Sequence, residues 1–382
     1  VMRRGLNPSL NNLLPVIYMP QNMSEVKAVI LVGGEGTRLR PLTSSVPKPM
    51  VPVLNKPFLE HVFKHLSNHG IRDIILALCY LPDSIQRYFG DGSDFGISIT
   101  YVVEDLPLGT AGAVKNVSDH IDSTFLVING DVFTDLDITS MIALHKDRGA
   151  VATIALTPVE DPSVYGVVDT DVNGRAKSFI EKPKREEATS SMINAGTYIL
   201  EPSVLRHVKP ATFCMFENYL FPLLLNTGEP VYTFPSNAYW IDIGTPEKYV
   251  SLNQYLLAGE SEVDSSCDIH PSAGITGIVQ LGKKCTVESN VIIEGPTVIG
   301  NGCVIKQNSV IKKAIIWPDT IIEEGTRIEN SIVGDGCHIG AGACVIDGVV
   351  LGGKVVVGSK CVISRNARVD YGRRIDPNTV FE

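Results

Sequence analysis

What the chain lacks narrows its possibilities before any motif is read. Its eight cysteines include no Cys-x-x-Cys pair and no Cys/His set at zinc-like spacing, so neither a disulfide framework nor a structural zinc is expected. A basic excess is also missing: 33 lysines and arginines face 42 acids, for a net charge of -9. That leaves no electrostatic footprint for nucleic acid, and any polyanion must be held by local cations. No apolar run exceeds strand length, so no transmembrane helix and no membrane role are expected. No signal peptide is expected either, because Asn7, Pro8, Asn11, Asn12 and Pro15 interrupt the mildly apolar stretch behind Arg3 and Arg4. Residues 1–22 read as a disordered extension, with the fold beginning near Met23. Free thiols fit a reducing, cytoplasmic setting.

What is present begins with Ala28-Val29-Ile30-Leu31-Val32, a buried strand by its apolar run. Gly33, Gly34 and Gly36 crowd the turn behind it, followed by Arg38, Arg40 and Lys48. Glycines let backbone N–H groups close on a polyanion, and nearby cations neutralise its charge. Two common phosphate loops fail here. The dinucleotide fingerprint would need a glycine where Leu39 stands, and no P-loop lysine follows the glycines. The run Gly33-Gly34-Glu35-Gly36-Thr37-Arg38-Leu39-Arg40-Pro41-Leu42-Thr43, then Pro47-Lys48-Pro49, instead resembles the signature of the sugar nucleotidyltransferase (nucleotide-sugar pyrophosphorylase) family.

The following segments alternate helix and strand: a helix over 57–68, a strand over 73–79, a helix over 84–89 and a strand over 97–103. A helix over 111–120 and a strand over 125–128 continue the pattern. This predicts an α/β fold, a Rossmann-like, mostly parallel mixed sheet with helices on both faces and ligands beyond the strands' carboxyl ends. Chemistry-bearing residues do follow the strands. Glu104-Asp105-Leu106-Pro107-Leu108-Gly109-Thr110-Ala111-Gly112 matches the family's base-reading loop and looks most like its mannose-1-phosphate guanylyltransferase branch. An ionised Glu104 accepts only, which suits the two adjacent donors on guanine's edge. Alternatively Glu104 is a solvated strand-end acid and backbone atoms at Gly109 read the base. Asn129-Gly130-Asp131 closes the next strand. An acid there suits Mg²⁺, which takes one or two carboxylates and completes its shell with phosphate and water. Asp137 reads as the N-cap of a helix over 138–146.

Strands are then expected over 151–156, around Tyr165-Gly166, at Phe179-Ile180-Glu181-Lys182-Pro183 and at Ile193–Tyr198, with a helix over 217–226. The resemblance implies that Tyr165, Gly166, Glu181, Lys182, Asn194 and Gly196 form the sugar-phosphate pocket. It assigns the nucleotide to Leu31, Gly33, Gly34, Gly36, Thr37, Arg38, Glu104, Gly109, Thr110, Asn129 and Asp131. Trp240-Ile241-Asp242-Ile243-Gly244-Thr245-Pro246 matches the family's W-x-D-I-G-T-P, making Asp242 the second Mg²⁺ carboxylate beside Asp131. Thr245 and Pro246 read as N-cap and N1 of a closing helix over 247–257. Arg38, Lys48 and Lys182 are the implied catalytic cations.

With 382 residues two folded domains are expected, 23–258 and 259–382. The second shows a six-residue phase: Ile269, Ile275, Leu281, Val287, Ile293, Ile299, Ile305 and Ile311. After a one-residue slip come Ile316, Ile322 and Ile328, and after another Val333, Ile339, Val345, Leu351, Val357, Ile363, Val369 and Ile375. This predicts an all-β hexapeptide solenoid of roughly six coils, resembling the left-handed parallel β-helix of hexapeptide-repeat proteins. Gly282, Gly300, Gly334, Gly340, Gly352 and Gly358 read as its turn residues. Cys267, Cys285, Cys303, Cys337 and Cys361 lie two residues before register aliphatics and read as core thiols. Such domains serve as assembly surfaces or as acyltransferases with a histidine base; only His270 and His338 lie here, and a homo-oligomer is favoured.

The expected reaction is NTP plus sugar 1-phosphate giving NDP-sugar and pyrophosphate, with GTP and mannose 1-phosphate ahead of UTP or dTTP with glucose 1-phosphate. A bifunctional acyltransferase and an inactive regulatory relative are the rivals.

Overall fold

The structure, a computed structural model, describes residues 26–257, 259 and 261–382; the expected N-terminal extension lies outside them. Lys27–Val32 is an interior strand of a nine-stranded sheet, running parallel to Asp73–Leu78 on one side and Phe125–Asn129 on the other. Ser98–Val103 extends the first side in parallel, and Met192–Leu200 continues the other antiparallel. Both faces of the central strands are apolar because helices cover both. Phe58–Asn68 buries Phe58, Leu59, Val62, Phe63 and Leu66 at helical spacing. Asp137 caps Ile138–Asp147 as expected, accepting from Ser140 N at 3.0 Å.

Two helices differ from expectation. The one over 111–120 is Gly109–Asn116 followed by a separate 3₁₀ turn, Ser118–His120. The one over 217–226 opens as a π-turn, Phe216–Leu220, before Phe221–Asn226 becomes α-helical. Pro222 brings no N–H to that first turn, so the bonding there widens. Among the described residues no helix is long and apolar enough to cross a membrane.

From Glu262 the chain winds into three parallel sheets of seven strands each, which is one coil more than the register arithmetic. Val263 and Phe381 continue the six-residue phase at either end and pair with the next coils. From Leu281 to Ile375 the register aliphatics are all buried, while Ile269 and Ile275 at the open end are half-covered. The thiols behave as expected: Cys285, Cys303, Cys337 and Cys361 are buried, Cys267 is half-buried, and all are free. Cys285 Sγ donates to Gly300 O at 3.0 Å, a contact repeated from coil to coil. The glycines have a different job from the expected one. Gly300 is needed because a Cβ there would lie 2.4 Å from Pro318 N of the next coil. The left-handed turn positions are filled largely by lysine, asparagine and aspartate, Lys284 and Asn290 among them.

One face of the solenoid is buried on both sides. Ile299, Ile316, Val333 and Leu351 point inward, and the residues just before them (Val298, Ile315, Ile332 and Val350) join the core of the α/β part. Trp317 Nε1 donates to Tyr249 Oη at 3.0 Å, and Asn55 Nδ2 to Ile299 O at 2.9 Å. At the last coils, Arg368 donates to the carbonyls of Arg38 and Arg40, both at 3.4 Å.

Candidate active site

The order of strands reverses between Lys27–Val32 and Phe125–Asn129, because the chain first builds outward through Asp73–Leu78 and Ser98–Val103 and then returns. Loops leaving such a point diverge and open a crevice. A cleft of about 470 Å³ lies there. Leu31, Gly33, Gly34, Gly36, Thr37, Arg38, Glu104, Gly109, Thr110, Asn129 and Asp131 all line it, together with Lys48. The residues assigned to the nucleotide therefore share one cavity, although they come from three loops.

The glycines of the first loop divide their work. Gly36 sits at φ +65 and starts the Thr37–Leu39 turn, with Thr43 Oγ1 donating to its carbonyl at 2.7 Å. A Cβ on Gly34 would meet nothing within 4 Å, so protein packing does not demand glycine there; the open space is on the ligand's side. Gly130 is the close-approach glycine: its N–H donates to Leu31 O at 2.9 Å, and a Cβ would stand 2.6 Å from that oxygen.

Two antiparallel strands, Val132–Thr134 and Trp240–Asp242, place the acids side by side. Asp242 faces Val132, and Ile243 N donates to Asp131 O at 2.9 Å. Each carboxylate already holds an ammonium. Lys48 Nζ reaches Asp131 Oδ2 at 2.7 Å, and Lys248 Nζ pairs with Asp242 Oδ2. Asp242 also accepts from Tyr165 Oη at 3.0 Å and from Gly244 N at 3.1 Å, and Arg38 packs against the same side of Gly244 as the Asp242 carboxylate. Burial works to lower the Lys248 pKa, but its bonds to Asp242 and Tyr165 outweigh that and leave it raised. Positive charge standing at both acids is the chemistry a divalent cation would replace. Among the described residues no three His, Cys, Asp or Glu side chains converge on a metal position. A pair of carboxylates that leaves room for phosphate oxygens and water is the donor set Mg²⁺ favours.

Glu104 is 7% exposed, and burial pushes its carboxyl pKa up. It also accepts from Leu108 N at 3.0 Å, which holds the loop's own turn. Thr110 lines the cleft with its hydroxyl already committed, donating to Glu217 Oε2 at 2.9 Å and accepting from Phe216 N at 2.8 Å. Asn129 Oδ1 is buried with no partner, an acceptor left for something in the cleft.

The sugar-side set lies outside this lining. Tyr165 is tied to Asp242 and Lys248. Gly166 passes beneath Phe179 and Glu181, where a Cβ would meet Phe179 at 2.6 Å. Glu181 pairs with Lys182 at 3.4 Å, and Lys182 takes a left-handed φ of 47 at the end of its strand. Asn194 donates to Tyr198 Oη at 2.8 Å and accepts from Gly196 N at 3.0 Å, while Gly196 abuts the Asn129 amide. Lys248 went unread in the sequence, although a signal existed. A cation at N3 of a helix opposes the macrodipole and stands where a capping box prefers Glu or Gln. Phe213 and Met215, which also line the cleft, belong to a stretch with no periodicity to read.

A doubly covered α/β sheet with a phosphate-type loop at its switch point, followed by a hexapeptide solenoid, defines a two-part nucleotide-handling enzyme. Residues 27–259 match the family model described as nucleotidyl transferase, and residues 259–363 match the EIF2B subunit epsilon LbH domain. The chain belongs to the nucleotidyl transferase family. It is 36% identical to the UTP–glucose-1-phosphate uridylyltransferase of Synechocystis sp., over 81% of this chain and 82% of that one. It is 37% identical to the mannose-1-phosphate guanylyltransferase of Mycobacterium tuberculosis, over 71% and 79%. Among solved structures it resembles HddC from Yersinia pseudotuberculosis complexed with GMP-PN, at 34% identity and TM-score 0.53, covering 60% of this chain and 99% of that one.

Proposed function

We propose that the enzyme joins a nucleoside triphosphate to a sugar 1-phosphate, releasing pyrophosphate, and that its pair is GTP and mannose 1-phosphate. The observation that carries this reading is the single cleft shared by the glycine loop, Glu104 and Asp131. A desolvated carboxylate beside Gly109 suits a base edge with two adjacent donors. The guanylyltransferase relatives and the GMP-PN complex of HddC support guanine.

In this reading an oxygen of the sugar phosphate attacks the α-phosphorus while the bond to the β-phosphate breaks and pyrophosphate departs. Positioning and charge neutralisation carry most of the rate. Arg38 offsets charge on the departing pyrophosphate. Lys48 turns from Asp131 to the phosphates, Lys182 holds the attacking phosphate, and Glu181, Asn194 and the Tyr165-Gly166 turn orient the sugar. No general base is required, because the phosphate monoester is already anionic. Asp131 and Asp242 would hold Mg²⁺, which when bound supplies a Lewis acid for the α-phosphate.

Pyrophosphate release over a matrix of four triphosphates and several sugar phosphates tests the pairing; GTP ranking below UTP and dTTP refutes it. Asp131→Ala and Asp242→Ala should each abolish turnover with the fold intact, and near-normal activity in either removes that residue from the site. A second reading, UTP with glucose 1-phosphate, is favoured by the Synechocystis relative and is decided by the same matrix. The two solenoid faces not packed on the α/β part carry exposed Ile292 and Ile321; we assign them to assembly of a homo-oligomer, and a monomeric mass by light scattering would refute that.

A further inference from the structure

Phe213 lines the cleft yet keeps 65% of its surface exposed. It does not sit on a loose tip. Cys214 N donates to Leu108 O at 2.8 Å, and Ala111 N and Gly112 N donate to Cys214 O at 2.9 and 3.0 Å. A Cβ on Gly112 would lie 2.7 Å from Thr212 O, and one on Gly109 would lie 2.9 Å from Met215 Sδ. The stretch carrying Phe213 is therefore stitched to the loop that carries Glu104, and the aromatic is held at the same end of the cleft.

A carboxylate addresses only the edge of a base. The faces of a heterocycle are large and apolar, and at this end the surface facing them is made by Pro107, Met215 and Phe213. We propose that Phe213 stacks on the nucleobase of the incoming triphosphate and is a substrate-positioning contact. The proposal rests on the nucleotide reading of the cleft. Because every base has a π-face, stacking adds affinity without choosing among bases, which leaves that choice to the edge contact. It also accounts for an aromatic kept in water by a rigid backbone: the base covers it on binding.

The test uses the full chain without sugar phosphate. Binding is measured by titration calorimetry with Mg²⁺ and whichever of the four triphosphates wild type binds best, and separately with inorganic tripolyphosphate, which has no base. Phe213→Ala should weaken the nucleotide by about tenfold, and Phe213→Tyr should stay within about twofold of wild type. Tripolyphosphate binding should not change in either variant. Unchanged nucleotide binding in Phe213→Ala overturns the proposal. So does a parallel loss of tripolyphosphate, which marks a distorted cleft. A wild type that binds triphosphates but turns none over with any sugar phosphate overturns the proposed reaction alone, with stacking then decided by the binding data. A wild type that binds no triphosphate overturns both.

Discussion

Tyr249→Phe removes one oxygen from the seam between the sheet and the solenoid, and its effect can be worked out in advance. Tyr249 is fully buried, accepts from the Trp317 indole at 3.0 Å and donates to Pro52 O. Its loss strands the Trp317 N–H in a site where that side chain is only 3% exposed. A buried unsatisfied donor costs about 1–3 kcal/mol, and the lost bond to Pro52 adds about 1 kcal/mol. A total of roughly 2–4 kcal/mol follows, with no cavity contribution because the ring stays. Spread over the unfolding entropy of the whole chain, this lowers Tm by about 4 °C; if the solenoid released alone, the shift would be roughly three times larger. Calorimetry therefore measures the cost and also shows whether the two parts unfold as one unit. Trp317→Phe and the double variant close the cycle, with a coupling of about 1–2 kcal/mol. A Tyr249→Phe protein within about 0.5 kcal/mol of wild type would refute the account.

Gly130→Ala should cost about 2–3 kcal/mol of stability by forcing a Cβ against the Leu31 carbonyl, and turnover should fall further than chemical unfolding implies; an active, equally stable variant refutes the close approach. The raised Glu104 pKa has a definite sign. The carboxyl keeps its proton to higher pH than an ordinary glutamate, so its acceptor-only form is lost sooner on acidification. The KM for GTP should therefore rise as pH falls from neutrality toward that raised value, and Glu104→Gln should flatten the profile; equal slopes would exclude Glu104 from base reading. Lys248→Met frees Asp242 of its ammonium, so Mn²⁺ should bind roughly tenfold more tightly without nucleotide, followed by electron paramagnetic resonance. Unchanged affinity would place the cation elsewhere.

The solenoid was the most legible part of the chain, because burial in every coil repeats one chemical demand at a fixed interval. Its extent was read one coil short only because Val263 and Phe381 stand beside less regular sequence. That the residues assigned to the nucleotide share one cleft was legible for a related reason: loops that follow buried strands must lie at the sheet's carboxyl edge. The sugar side was less so. Tyr165 is a polar residue whose partners, Asp242 and Lys248, arrive from a distant strand and a helix, and no spacing encodes such meetings. The close coil-to-coil passage at Gly300 was equally invisible, since a glycine required by a neighbouring backbone looks the same as one required by a turn.

Solenoids ordinarily vary in length with ease, because each repeat touches only its neighbours and a unit can be gained or lost with little penalty. Here that freedom is gone. Val298, Ile315, Ile332 and Val350 must each meet a particular part of the α/β core, and Arg368 must still reach the carbonyls of Arg38 and Arg40. Deleting one internal coil would shift every later contact by a rung and pull support from the loop that carries Arg38. The coil number is thus tied to the packing of the α/β part, and an added coil should be tolerated best beyond Arg368, past the contacts with the Arg38 and Arg40 carbonyls.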